Sequence, residues 1–160
     1  RELPSLGSGS TIVPGDLQYM SAGTGVKHSE FNASESEGVH FVQIWIVPDR
    51  RGYAPRYGQR TFADEERRGK LRLVASGTGD DGSIAVRQDV SLYATILGAG
   101  ESVPLEIAPG RHLWVQVLRG EAEVNGHRLA AGDGLAASDE TAFTFRAGST
   151  EAELLVFDLA

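Results

Sequence analysis

The sequence of 160 residues contains no cysteine. That excludes disulfide scaffolds, thiolate zinc sites and cysteine nucleophiles. No apolar run approaches the ~20 residues of a membrane-spanning helix, so no membrane partner is expected. Positive charge is scarce: 15 Lys and Arg stand against 22 Asp and Glu, for a net charge of −7. Direct nucleic-acid binding needs a concentrated positive field and is not expected either. A phosphate cradle is missing, since Gly77-x-Gly79 runs into Asp80-Asp81-Gly82, whose carboxylates would repel phosphate. Asp80, Asp81 and Ser83 also lack the spaced ligands and closing glutamate of an EF-hand. There is no Gly-x-Ser-x-Gly elbow and no long amphipathic helix; only residues 63–68 have helical composition. No basic-then-apolar leader opens the sequence, and a cytoplasmic protein is expected.

What is present reads as a mostly-β protein. Apolar residues at 41% and charged residues at 23% are globular values. Twenty glycines and six prolines separate short apolar or alternating segments, the pattern of a β-sandwich or barrel. The segments are 26–32, 40–47, 71–75, 92–97, 112–119, 141–147 and 153–158, and Trp45 and Trp114 within them read as core residues. Asn125-Gly126 between 121–124 and 127–129 is the strongest hairpin signal, because a type I′ turn needs positive φ at both central residues. Three parts are expected: a β-rich piece at 1–48, a polar linker at 49–69, and enough strands for a complete barrel at 70–160. Arg50, Arg51, Arg56, Arg60, Arg67, Arg68 and Lys70 form the one positive cluster. It reads as solvated linker charge paired with Asp49, Asp64, Glu65 and Glu66, or else as a docking surface. A weak internal repeat sets Pro14-Gly15-Asp16 beside Ala131-Gly132-Asp133, each a glycine turn before a strand.

If residues 26–32 are a strand, alternation puts His28, Glu30 and Asn32 on one face. An imidazole and a carboxylate two residues apart can share a metal inside a barrel. That donor pair suits iron, copper, nickel or manganese better than a soft metal. The alternative is a polar face turned to solvent.

The run Pro14-Gly15-Asp16, a strand, then Met20-Ser21-Ala22-Gly23-Thr24-Gly25-Val26-Lys27-His28-Ser29-Glu30-Phe31-Asn32 resembles the most diagnostic segment of the pirin family of cupins. His40-Phe41-Val42-Gln43-Ile44-Trp45-Ile46-Val47-Pro48-Asp49, Pro55-Arg56-Tyr57, Leu71-Arg72-Leu73-Val74-Ala75-Ser76 and Asp81-Gly82-Ser83 are similar to that family too. The resemblance implies a bicupin: two β-barrels, with one metal held in the first by three histidines and a glutamate. His28 and Glu30 match two of those ligands. The other two belong to a His-x-His motif, which this sequence does not contain. His40, His112 and His127 do not replace it: His40 opens a strand leading away, and the other two fall in the barrel that binds no metal in the family. On this reading the first barrel is incomplete and the second complete. The missing strands are then expected from an N-terminal fragment, a strand-exchanged dimer or residues outside this sequence.

With the pocket completed, the resemblance implies a quercetin 2,3-dioxygenase that opens a flavonol ring with dioxygen. One transition-metal ion is implied, iron first, with copper, nickel or manganese as alternatives. Glu30 would be metal ligand and catalytic proton acceptor, and His28 a metal ligand. The second reading is a non-catalytic pirin-like regulator that binds a small molecule or protein partner without a working metal.

Overall fold

A computed structural model describes residues 10–160 and divides the chain between Thr61 and Phe62 into two compact units. Among the described residues of the first unit, two strands form: β1 (Asp16–Ser21) and β2 (Arg56–Thr61). They pair antiparallel, with Asp16 opposite Thr61, Gln18 opposite Gln59 and Met20 opposite Tyr57. β2 lies in the stretch read as a linker, where Arg-Tyr-Gly-Gln-Arg-Thr shows little apolar alternation. It forms because its polar side chains bond across to β1, as described below.

Residues 26–32 and 40–47 are not strands, contrary to expectation. Alternation is a preference for lying half-buried in a sheet, and it is realised only where a neighbouring strand takes up the backbone groups. Among the described residues these segments form no ladder, and Phe31, Phe41, Val42, Trp45 and Val47 within them are exposed. Trp45, read as core, is 86% exposed.

The second unit opens with a short helix, α1 (Asp64–Arg67). Glu66 Oε2 accepts from the Ala63 N–H at 3.1 Å, closing its first turn. Buried Arg67 fixes the helix to the sheet, donating to Phe62 O (3.1 Å), Asp64 Oδ1 (2.6 Å) and Glu153 Oε1 (2.7 Å). Arg68 reaches Glu151. These two arginines of the positive cluster are therefore structural ion pairs.

Ten strands follow: β3 (Arg72–Ser76), β4 (Ile84–Ala85), β5 (Val90–Leu97), β6 (Ser102–Glu106), β7 (His112–Arg119), β8 (Glu121–Val124), β9 (His127–Ala130), β10 (Gly134–Ala137), β11 (Ala142–Ala147) and β12 (Ala152–Leu159). They build a six-stranded sheet, β10-β7-β12-β5-β3-β4, and a four-stranded sheet, β6-β11-β8-β9. Alternate residues of both sheets share one core: Val115 and Val117 from β7, Leu154 and Val156 from β12, Phe143 and Phe145 from β11, Val124 from β8. The Asn125-Gly126 turn joins β8 to β9 with φ of 47° and 87°, as a type I′ hairpin requires. Trp114, read as core, is instead 39% exposed on the other face of β7. Its ring lies across Gly134, where any Cβ would meet the indole at 2.4 Å.

Candidate metal centre

The path to His28 and Glu30 begins at a tight turn. Pro14 supplies a fixed φ, Gly15 takes φ +90°, and the Asp16 N–H donates to Val13 O at 3.0 Å. The Asp16 carboxylate then closes the turn from outside. Oδ2 accepts from the Val13 N–H (3.0 Å) and Gln59 Nε2 (2.9 Å), and Oδ1 accepts from Thr61 Oγ1 (2.5 Å). Partial burial pushes this carboxyl's pKa up, but the hydrogen bonds from Thr61, the Val13 N–H and Gln59 outweigh it. The group is held below the usual carboxylate range. The ladder continues through Tyr57, whose hydroxyl donates to Gln59 Oε1 (2.7 Å) and accepts from Gln18 Nε2 (2.9 Å), with Ser10 Oγ 2.8 Å away. Asp16, then, is a fastener of β1 to β2.

After β1 the chain bends at Ala22-Gly23-Thr24-Gly25, with the Gly25 N–H donating to Ala22 O at 2.7 Å. Gly23 has φ +52°, and a Cβ there would sit 2.3 Å from Tyr53 O. Only glycine lets residues 53–55 pass this close. The bend delivers the extended segment that carries His28 and Glu30. Their side chains meet, Nε2 to Oε1 at 3.9 Å, each about one-third exposed (33% and 38%). The expected juxtaposition is therefore present although the expected strand is not.

This pair fits part of a metal site. Imidazole nitrogen and carboxylate oxygen are the donors expected for a first-row metal. Shared ligation needs each about 2.0–2.2 Å from the ion, which modest side-chain rotation of exposed groups can reach from 3.9 Å. The fit stops at two donors: among the described residues no group of three or more His, Asp or Glu side chains comes together. His112 Nδ1 instead bonds Ser138 Oγ at 2.8 Å, and His127 lines a cleft of about 390 Å³ with Val124, Asn125, Leu135, Glu140 and Phe143.

The second unit repeats the turn. The Ala130 N–H donates to Asp133 Oδ2 (2.9 Å), the Asp133 N–H to Ala130 O (3.0 Å), and Gly132 has φ +93°. Bond for bond this is the Val13–Asp16 turn. His28 and Glu30 lie 12 and 14 residues after Asp16 (28 − 16; 30 − 16), and the same counts from Asp133 reach Phe145 and Ala147. Both are packed in the second core. That interior offers apolar groups where the first segment carries donors.

Sequence reasoning did not pick out Gln18 and Gln59, and it quoted Tyr57 only within Pro55-Arg56-Tyr57, without its bonds. Their signal was the row of hydrogen-bonding side chains at every second position of β2, which is visible only once 56–61 is known to be a strand. Gly23 was quoted as part of a motif without its reason, the backbone crossing at Tyr53.

Comparison with known proteins agrees with this architecture. Residues 73–159 match the family described as quercetinase C-terminal cupin domain, and residues 4–46 match the family described as pirin. The chain is 43% identical over 155 residues to a quercetin 2,3-dioxygenase of Escherichia coli strain K12, an alignment taking in 97% of this chain and 65% of that protein. It is also similar to the crystal structure of YhhW from Escherichia coli, with TM-score 0.92, 40% identity, and coverage of 99% of this chain and 66% of that one. The crystal structure of the bacterial pirin YhhW in complex with nickel(II) gives TM-score 0.89 and 41% identity, over 99% of this chain and 67% of that one. The chain thus spans about 65% of the length of the first of these relatives. With family matches in both units, a repeated turn and the two-sheet second unit, the chain belongs to the pirin family of cupins.

Proposed function

We propose that His28 and Glu30 are two ligands of a single transition-metal site serving a quercetin 2,3-dioxygenase-type reaction. The observation that carries this is the 3.9 Å approach of an imidazole and a carboxylate, in a segment inside the pirin match. The names of the relatives and the nickel complex of one of them support it. Two further nitrogen donors would come from a His-x-His motif outside this sequence, brought by a preceding segment or by another chain. Iron is the first expectation, with nickel, copper and manganese suiting the same donors.

When bound, the metal would act as a Lewis acid that stabilises a deprotonated flavonol and organises its attack by dioxygen. The work of this chain's own residues is proton handling and orientation. Glu30 offers one oxygen as ligand, leaving the other to accept the flavonol hydroxyl proton within hydrogen-bond reach. His28 must present its neutral Nε2, so it is a ligand only where the imidazole is unprotonated.

The test is aerobic turnover of quercetin, followed by loss of its visible absorbance, with the metal-loaded protein and its Glu30→Gln variant. The amide keeps a ligand oxygen but cannot take the proton. The proposal expects turnover by the parent and a fall of at least about 100-fold in the variant, the usual worth of a general base. Equal rates would remove Glu30 from the chemistry. No turnover in a fully metal-loaded parent would favour the regulatory reading.

A further inference from the structure

We propose that Asn125 is a deamidation site held latent by the fold, and that its conversion releases the β8–β9 hairpin from β11. The sequence holds two asparagines, Asn32 before Ala33 and Asn125 before Gly126. Only Asn125 is followed by a residue without a side chain, so its neighbour's backbone nitrogen is the less hindered nucleophile. The reaction is internal. The deprotonated Gly126 nitrogen attacks Asn125 Cγ, a C–N bond closes a five-membered imide, and Nδ2 departs as ammonia. Water then adds to either imide carbonyl and breaks its C–N bond, leaving aspartate or isoaspartate. Water is the sole co-reactant, and the turn is exposed to it.

The folded geometry opposes the first step. Asn125 Nδ2 donates to Glu140 Oε2 (3.1 Å) and Ala142 O (2.9 Å), while Oδ1 accepts from the Thr144 N–H (2.9 Å). The Asn125 N–H also donates to Thr144 O (3.3 Å). The amide is thus tied to the chain around β11, while attack by Gly126 needs it turned back over its own backbone. Asn125 and Gly126 are also held at φ 47° and 87° by the hairpin. Reaction therefore requires the hairpin tip to open locally.

The consequence of conversion follows from the same partners. Both atoms facing Nδ2, Glu140 Oε2 and Ala142 O, are acceptors. A carboxylate in place of the amide loses both donated bonds and sets one negative charge against another. An isoaspartate adds a methylene to the main chain at a turn whose register depends on two residues. Either product loosens one wall of the 390 Å³ cleft that Asn125 and Glu140 line.

The experiment incubates the folded chain in warm, mildly alkaline buffer and, in parallel, the same chain in denaturing urea, with peptide mapping of amide-to-acid conversion at Asn125. Opening must give up several hydrogen bonds, so conversion in the folded chain is expected to be roughly tenfold or more slower. Equal rates would overturn the protection. Separately, Asn125→Asp, which retains an unmodified main chain, should lower the urea midpoint of the second unit. An unchanged midpoint would overturn the claim that the amide fastens the hairpin.

Discussion

Gly120 joins β7 to β8 at φ +72°, and a Cβ built on it would lie 2.1 Å from Glu151 O, 3.0 Å from Ala152 Cα and 3.1 Å from Glu151 C. All three are main-chain atoms at the entry to β12, so no rotamer change relieves the overlap. Gly132 is the natural control, with φ +93° and nothing within 4 Å. Alanine at either site pays the left-handed conformation, about 1 kcal/mol. At Gly120 it must also displace the β7–β8 corner or the start of β12, which adds about 1–3 kcal/mol of overpacking. Gly120→Ala should therefore cost about 2–4 kcal/mol and Gly132→Ala about 1 kcal/mol. For a domain of this size each kcal/mol shifts the melting temperature by roughly 4–8 °C. Thermal and urea denaturation of the two variants beside the parent reads the difference directly. Equal losses would refute the argument, since they would leave only the conformational cost that the two sites share.

Two further perturbations address other parts of the account. Phe145 is fully buried among both sheets of the second unit, and Phe145→Ala should cost about 3–5 kcal/mol in urea denaturation; a loss below about 1 kcal/mol would mean that the shared core is misplaced. Asp16 has a lowered pKa, so its bonded carboxylate contributes stability above the usual carboxylate pKa and loses it as pH falls through the lowered value. Asp16→Ala should thus be less stable than the parent at neutral pH, with the gap closing under acid; a gap constant with pH would contradict the role given to the charge.

The second unit was largely legible because its strands carry their own evidence. Residues 112–119 and 121–124 appear at their expected bounds as β7 and β8, and Asn-Gly marked the hairpin between β8 and β9. β6 escaped because Pro104 interrupts it, and that proline is tolerated at an edge strand of the four-stranded sheet. β10 escaped because Gly-Leu-Ala-Ala has little strand signal; Gly134 is there to admit the Trp114 ring. In the first unit the sequence pattern misled at 26–32 and 40–47, whose alternation states what these segments would do beside partner strands. It said little of 56–61, whose polar residues make a strand by bonding to Gln18 and Asp16. The pair His28 and Glu30 was recoverable because two-residue spacing in any extended chain brings side chains to one side, with or without a sheet.

The central claim is that His28 and Glu30 hold a metal, and metal content with intact mass on one sample tests it most directly. The purified protein, loaded in turn with iron(II) and nickel(II) and passed through a desalting column, is compared with His28→Ala and Glu30→Ala. The account predicts about one ion per protein wherever the intact mass shows a second peptide or a chain longer than 17.1 kDa. It also predicts at least about tenfold weaker retention in each variant. Retention of one ion unchanged by either substitution would contradict the assignment of these ligands. A metal-free protein of 17.1 kDa would contradict an oxygenase site in this chain alone.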